Sequence, residues 1–236
     1  MLSSKKAFIV FILQLLVSNF AFSETNSRPF AQFPPPPFKF LHEKKFSQLI
    51  LSENPKGDEI PFWRAKASVH RKMIEDRHIP VSVNKINLPC GMIAYDVKGA
   101  GIVHAAASSA FKSAQEFNKL PQVSSHFKSA HYDAKNNQLF LVLEALGFET
   151  RMIMAIDLVT EKKRSEIQFE VVWGELKGMK GAIGFEAVGE DSCEVSILSH
   201  YQAKSFPLPR IFMSFAFEVI TQKVAEKMRT FIESQR

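Results

Sequence analysis

The last stretch of the chain constrains the fold most. Pro209 suits a first helical turn, and Phe212, Phe215, Val219, Val224, Met228 and Phe231 recur as an apolar stripe, while Gln222, Lys223, Glu226, Lys227, Arg229 and Glu233 fill the remainder. The spacing predicts one helix from Pro209 to Glu233. At ~1.5 Å per residue it would run roughly 37 Å, enough to cross the concave face of a whole curved sheet. A helix that long with one apolar side needs a large apolar surface to lie on.

The preceding residues supply such a surface. Val81–Val83 is strand-like, Leu88-Pro89-Cys90-Gly91 is a turn, and Met92–Ala106 reads as a long strand broken by glycines. Ser108–Phe117 reads as a helix with Phe111 and Phe117 inward, and Val123–Tyr132 as a weaker strand. Five segments then alternate at period two: Gln138–Leu146, Glu149–Leu158, Ser165–Trp173, Gly181–Val188 and Ser192–Ala203. Strands, short helices, a meander and a long terminal helix make an α+β fold, a curved antiparallel sheet around the C-terminal helix.

The N-terminal part is organised differently. Lys5-Lys6, the apolar run Ala7–Val17 and the small residues Ala21 and Ser23 form a secretory signal pattern, with cleavage expected after Ser23. The apolar stretch sits near the lower limit of the ~17 to 25 residues that span a bilayer, so no stable span is expected after cleavage. The chain is therefore expected to be exported, to the periplasm or beyond. Residues 24–80 form an arm. Arg28–Phe40 is rich in Pro and Phe and predicts extended polyproline structure, read as a spacer. Leu41–Leu51 and Phe62–Arg77 follow as amphipathic pieces, the second with Trp63, Ala67, His70, Ile74 and His78 on one stripe. Residues 81–236 make the main domain.

Charge argues against a nucleic-acid partner. The formal net charge is +6, but the main domain holds 18 Lys and Arg against 17 Asp and Glu. The excess lies in the leader and the arm, whereas a nucleic-acid surface needs a concentrated basic face. Lys162-Lys163-Arg164 is read as a solvated hairpin tip.

Several short runs carry a resemblance. Gly99-Ala100-Gly101-Ile102-Val103-His104-Ala105 leading into Ser109-Ala110-Phe111-Lys112, then Phe117-Asn118-Lys119-Leu120-Pro121, resembles the opening of the START / polyketide cyclase-dehydrase superfamily. Ile167–Gly184, with Val172-Trp173-Gly174-Glu175-Leu176-Lys177-Gly178, is similar to its central hairpin, and Leu208-Pro209-Arg210 before the long helix fits its ending. The resemblance covers Val81 to Arg236. It implies the helix-grip fold, with a hydrophobic cavity between sheet and helix that in relatives holds lipids, sterols, quinones or aromatic polyketides. The implied partner is a hydrophobic small molecule or lipid bound by a monomer. The expected lining is Leu141, Met154, Phe169, Trp173, Phe185, Tyr201, Phe212, Phe215 and Val219. The residue types alone fit a solid core equally well.

Motifs for other chemistry are missing. Gly174-x3-Gly178-x2-Gly181-x2-Gly184 joins two strands and is followed by no Gly-Lys-Ser/Thr, so it reads as a hairpin, not a phosphate loop. His126 and His131 are spaced neither for a helical metal site nor for one strand face. No Gly-x-Ser-x-Gly elbow occurs, and Cys90 and Cys193 have no adjacent His. No metal, cofactor or catalytic set is assigned. His104, Asp157, His200 and Tyr201 lie in or beside strands bordering the proposed cavity, and an acid or base there could serve a cyclase or aromatase. Glu144 and Arg151, around Gly147, are read as a surface ion pair. An interaction module without a ligand is the remaining alternative. Cys90 and Cys193 are expected to stay reduced, because the first long strand should pair with the last and hold them far apart.

Overall fold

A computed structural model describes residues 60–145, 147–161, 164–204 and 210–235. The leader, the Pro-rich segment and the Leu41–Leu51 piece lie outside the described residues. Two short helices come first, α1 (Phe62–Ala65) and α2 (Ala67–Glu75). Strands β1 (Val81–Asn87) and β2 (Ile93–Val103) follow, then α3 (Ala107–Ala114) and α4 (Leu120–Val123). A meander runs through β3 (Phe127–Asp133), β4 (Gln138–Ala145), β5 (Phe148–Thr160), β6 (Arg164–Gly174), β7 (Lys180–Gly189) and β8 (Ser192–Ala203). Helix α5 (Arg210–Ser234) ends the chain.

The strands form one 8-stranded antiparallel sheet in the order β1-β2-β8-β7-β6-β5-β4-β3. The β2–β8 seam joins the first long strand to the last, with Ile93 opposite Ala203 and Val103 opposite Cys193. This is the curved sheet and gripped helix expected from the sequence.

Each face of the sheet has its own partners. On the concave face Val103, Leu139, Leu141, Met152, Ile156, Ile167, Phe169 and Phe185 form the main core with Ala110 of α3 and Ile232 of α5, and Met228 and Phe231 pack beside them. Towards the other end of α5, Met213 joins Ile93 and Tyr95, with Phe217 against them. On the convex face Trp63 of α1 and Met73 of α2 close over Ala100. Glu194, buried on β8, anchors α1: it accepts from Trp63 Nε1 at 3.1 Å and from Arg64 Nε at 3.1 Å. That bond, with a second to Glu186, raises the Arg64 pKa despite the opposing effect of burial.

Three sequence expectations are corrected. Phe62–Arg77 is not one helix, because Lys66 adopts an extended conformation (φ −104°, ψ 107°) between α1 and α2. The break shifts the helical phase, so Trp63 and Met73 are buried while Ala67, Ile74 and His78 are exposed. Among the described side chains in the first turns of α5, Met213 and Ala216 are buried, and Phe215 is 57% exposed. The run Ile211-Phe212-Met213-Ser214-Phe215-Ala216-Phe217 is apolar almost all round, so periodicity fits two stripes one residue apart. Glu144 and Arg151 do not pair. Glu144 faces Glu149 in the β4–β5 register and bonds Lys128 at 3.0 Å, while Arg151 Nε donates to Glu149 at 2.7 Å.

The glycine-rich stretch is the β6–β7 hairpin. Gly174 and Gly178 have φ of +110° and +89°, and a Cβ on Gly174 would stand 1.9 Å from the Arg151 carbonyl oxygen. Only glycine meets both demands there.

Candidate functional site

The concave face is built from one set of alternating positions. Across the registers, Tyr95, Val97 and Val103 of β2 share a face with Cys193, Val195, Ile197, Ser199 and Tyr201 of β8. The same face continues through Ile183 and Phe185 on β7, Ile167, Phe169 and Val171 on β6, Met154 and Ile156 on β5, and Leu139, Leu141 and Leu143 on β4. No position on this face of β2 or β4–β8 carries a carboxylate, amine, guanidinium or imidazole.

Burial on this face is uneven. Phe169, Phe185, Leu141 and Cys193 are buried. At the centre of the sheet, Met154, Ile183, Val195 and Ile197 are only half-buried, whereas outward-facing Ala182, Glu194 and Ser196 beside them are buried. The reverse is expected of a sheet whose inner face packs solidly. Val219 and Val224 of α5, also half-buried, belong to the helix that spans this side.

The polar atoms of the lining are few and weakly ionising. The Tyr201 hydroxyl donates to the Glu175 carbonyl at 3.1 Å, and burial raises its pKa. Burial, helped by the negative charge of Glu233, pushes the Cys193 thiol up to about 11. These groups stay neutral near pH 7. They can orient a ligand by hydrogen bonding, but they are poorly matched to proton transfer at that pH.

The predicted lining residues fall into groups. Leu141, Met154, Phe169 and Phe185 converge in the main core, with Phe185 edge-on to Phe111 at 5.5 Å between ring centroids. Tyr201 lies nearer the other end of α5, its ring 6.4 Å from that of Phe217. A register shift between Ile153 and Met154 sets Trp173 opposite Ile153, on the outer face. The Phe212 side chain lies outside the described residues.

The remaining polar candidates do not converge on the interior. His200 Nδ1 lies 2.6 Å from Asp96 Oδ1 on the convex face. Asp157, opposite Gln168, is also on that face. His126 Nδ1 lies 3.1 Å from the Glu144 carbonyl, and the His131 ring is 6.1 Å from that of Phe140. The backbone N–H of His104 donates to Glu233 at 2.9 Å, and Glu233 also bonds Arg77. Sequence reading passed over this cluster, because Arg77 and Glu233 are 156 positions apart and no local spacing marks them. Beside it, Lys72, Asp76, Arg77, His78, Ile79, Glu226 and Arg229 line an open groove of about 450 Å³ in which acidic side chains offset the cations.

Residues 103–229, more than half of the chain, match the family model described as polyketide cyclase / dehydrase and lipid transport. The chain belongs to this family. Among solved structures, a START superfamily protein from Mycobacterium smegmatis is similar at 17% identity and a TM-score of 0.52, over 60% of this chain and 99% of that one. A protein from Thermus thermophilus aligns at 17% identity and a TM-score of 0.47, over 59% and 94% of the two chains. A STAR-related lipid transfer protein fragment from Xanthomonas axonopodis aligns at 13% identity and a TM-score of 0.46, over 65% and 97%. A comparison with curated proteins returns no match. The Mycobacterium likeness is one of fold, and the family's helix-grip architecture is the one this chain adopts.

Proposed function

We propose that this protein, exported through its N-terminal leader, binds a hydrophobic small molecule or lipid between the concave face and α5 and carries it through an aqueous compartment. The observation behind this reading is the half-buried, uncharged centre formed by Met154, Ile183, Val195 and Ile197. Apolar side chains left accessible inside a fold cost stability unless something apolar covers them. Each ligand methylene buried there contributes about 0.8 kcal/mol. Leu141, Phe169, Phe185 and Val219 would form the walls, and Tyr201 would offer a hydrogen bond to a polar end.

Native mass spectrometry of the mature protein, purified from its own envelope, tests the binding. A co-purifying species of fixed mass, released by organic solvent and extracted as a lipid or aromatic compound, is the expected result. Protein that is ligand-free and takes up no fluorescent fatty-acid analogue at micromolar concentration would exclude it. Edman sequencing beginning at Glu24 supports export, and an intact Met1 in the membrane fraction opposes cleavage.

A further inference from the structure

Two hydroxyls sit at the middle of the concave side, and no charge accompanies them. Ser199 of β8 lies on the concave face between Val97 of β2 and Gly181 of β7. A Cβ on Gly181 would collide with the Phe169 ring, so Ser199 has an aromatic wall beside it. On α5, Thr221 follows Phe217 by four positions and precedes Met228 by seven, which puts it on the helix stripe that packs towards the sheet.

The two residues stand level. Helix α5 runs alongside β2: near its start Phe217 lies 5.5 Å from Tyr95 and 6.4 Å from Tyr201 between ring centroids, and near its end Glu233 accepts from the His104 N–H. One turn beyond Phe217 carries Thr221 ~6 Å in that direction. The two residues from Tyr201 back to Ser199 advance ~7 Å the same way. Met213, Ala216 and Ile232 are buried near the helix ends, whereas Val219, Ile220, Thr221 and Gln222 are all half-buried. That is the pattern of a helix that touches the sheet at its ends and bridges a gap between.

Neither hydroxyl is held by the protein. The exposed Thr230 hydroxyl donates to the Glu226 carbonyl one turn back at 3.1 Å, the ordinary outlet for a helical threonine. The Thr221 and Ser199 hydroxyls have no hydrogen-bond partner among the described residues. Charges stay outside. Lys85 of the edge strand β1, opposite Tyr95, is exposed, as are Glu218, Lys223 and Lys227 of α5. Arg229 turns to the Arg77 carbonyl in the groove beside α2.

We infer that Ser199 and Thr221 form a charge-free clasp for the polar end of the ligand, so that the chamber prefers amphiphiles ending in a hydroxyl or carbonyl to ionised lipids of the same length. The inference rests on the reading of this face as a ligand chamber. A neutral oxygen can exchange hydrogen bonds with both side chains, each of which donates and accepts. A carboxylate or phosphate would enter without a counter-charge, and burying an unpaired charge costs far more than burying a hydrogen-bonded hydroxyl. A fatty acid can enter protonated, which makes it a weaker ligand at pH 8 than at pH 5.

Displacement of a bound fluorescent fatty-acid analogue by 1-dodecanol and by dodecanoate tests this. At pH 8 the alcohol is expected to bind at least about tenfold more tightly, with dodecanoate gaining on it as pH falls to 5. Equal affinities at pH 8, or a tighter acid, overturn the inference and leave the chamber standing; no uptake of the analogue overturns both. Ser199→Ala and Thr221→Val keep the shape and remove the hydroxyl. Each should weaken dodecanol by about threefold to tenfold, the worth of one hydrogen bond, and weaken diphenylhexatriene, which has no polar end, much less. Undiminished dodecanol affinity in either variant, or an equal loss for the two probes, overturns the clasp.

Discussion

Val103 stands opposite Cys193 at one end of the β2–β8 seam, and Ile93 marks the other end. The ten steps between Ile93 and Val103 span roughly 33 Å at the usual rise, and Cys90 lies beyond Ile93. A disulfide tolerates about 7 Å between Cα atoms. Cys193 is accordingly a free, buried thiol. With its pKa pushed up to about 11, it is almost wholly protonated at pH 7. Maleimide should therefore label Cys193 very slowly in the native protein. After denaturation without reductant, both cysteines should label; zero free thiols in monomeric protein would contradict the seam.

Gly181→Ala should destabilise the sheet by about 1–3 kcal/mol. An added Cβ would lie 2.4 Å from Phe169 Cζ and 2.7 Å from the Leu198 carbonyl oxygen. The ring can turn, but the carbonyl belongs to the β7–β8 ladder. Urea denaturation measures the loss, and a midpoint equal to the parent's would mean that the sheet yields at this point.

Glu194→Ala should cost about 2–4 kcal/mol, since it leaves the Trp63 indole N–H and the Arg64 guanidinium without their buried acceptor. The damage should be local. Hydrogen exchange is expected to accelerate in α1 and α2 far more than in β4–β6.

Glu233 makes stability depend on acid pH. Burial alone would raise its pKa, but the Arg77 hydrogen bond, the His104 N–H and their charges together hold it below the usual carboxylate range. A carboxylate depressed in the folded state contributes stability that is fully present above its unfolded pKa of about 4.3 and is lost as pH falls through the folded value. Glu233→Gln should thus lower the melting temperature at pH 6 and narrow the gap to the parent as pH drops below ~4. A constant gap across that range would assign the loss to packing.

The strand pattern was readable because one face alternates with the other along most strands, and the β2–β8 pairing followed from the expected topology. Three things were not readable. The phase of α5 was ambiguous because Phe212, Met213, Phe215 and Phe217 crowd two turns with apolar residues. The position of Trp173 depends on a register shift that strict alternation in β6 does not reveal. Glu194, Arg77 and Glu233 act through partners more than a hundred positions away, and such contacts leave no local spacing in a single sequence.

The corrected phase of α5 gives a direct contrast. Ile232→Ala or Met213→Ala removes a buried side chain and should cost about 2–4 kcal/mol. Phe215, 57% exposed, should tolerate Ser within ~0.5 kcal/mol. Comparable losses at Phe215 and Met213 would restore the original stripe.

Filling the interior distinguishes a chamber from a core. Ile183 and Ile197 face each other across β7 and β8, each half-buried beneath the helix side of the sheet. In a close-packed interior, Ile183→Trp would force neighbours off their rotamers and cost roughly 1–3 kcal/mol. In a chamber wide enough for an acyl chain or ring system, the indole finds room and covers apolar surface already exposed, so stability should hold or rise by up to about 1 kcal/mol. The same substitution then occupies the ligand's space. The expected pair of results is an unchanged or higher denaturation midpoint with at least tenfold weaker uptake of a fluorescent fatty-acid analogue. A lower midpoint with undiminished uptake would put the ligand elsewhere and leave the concave face as an ordinary core.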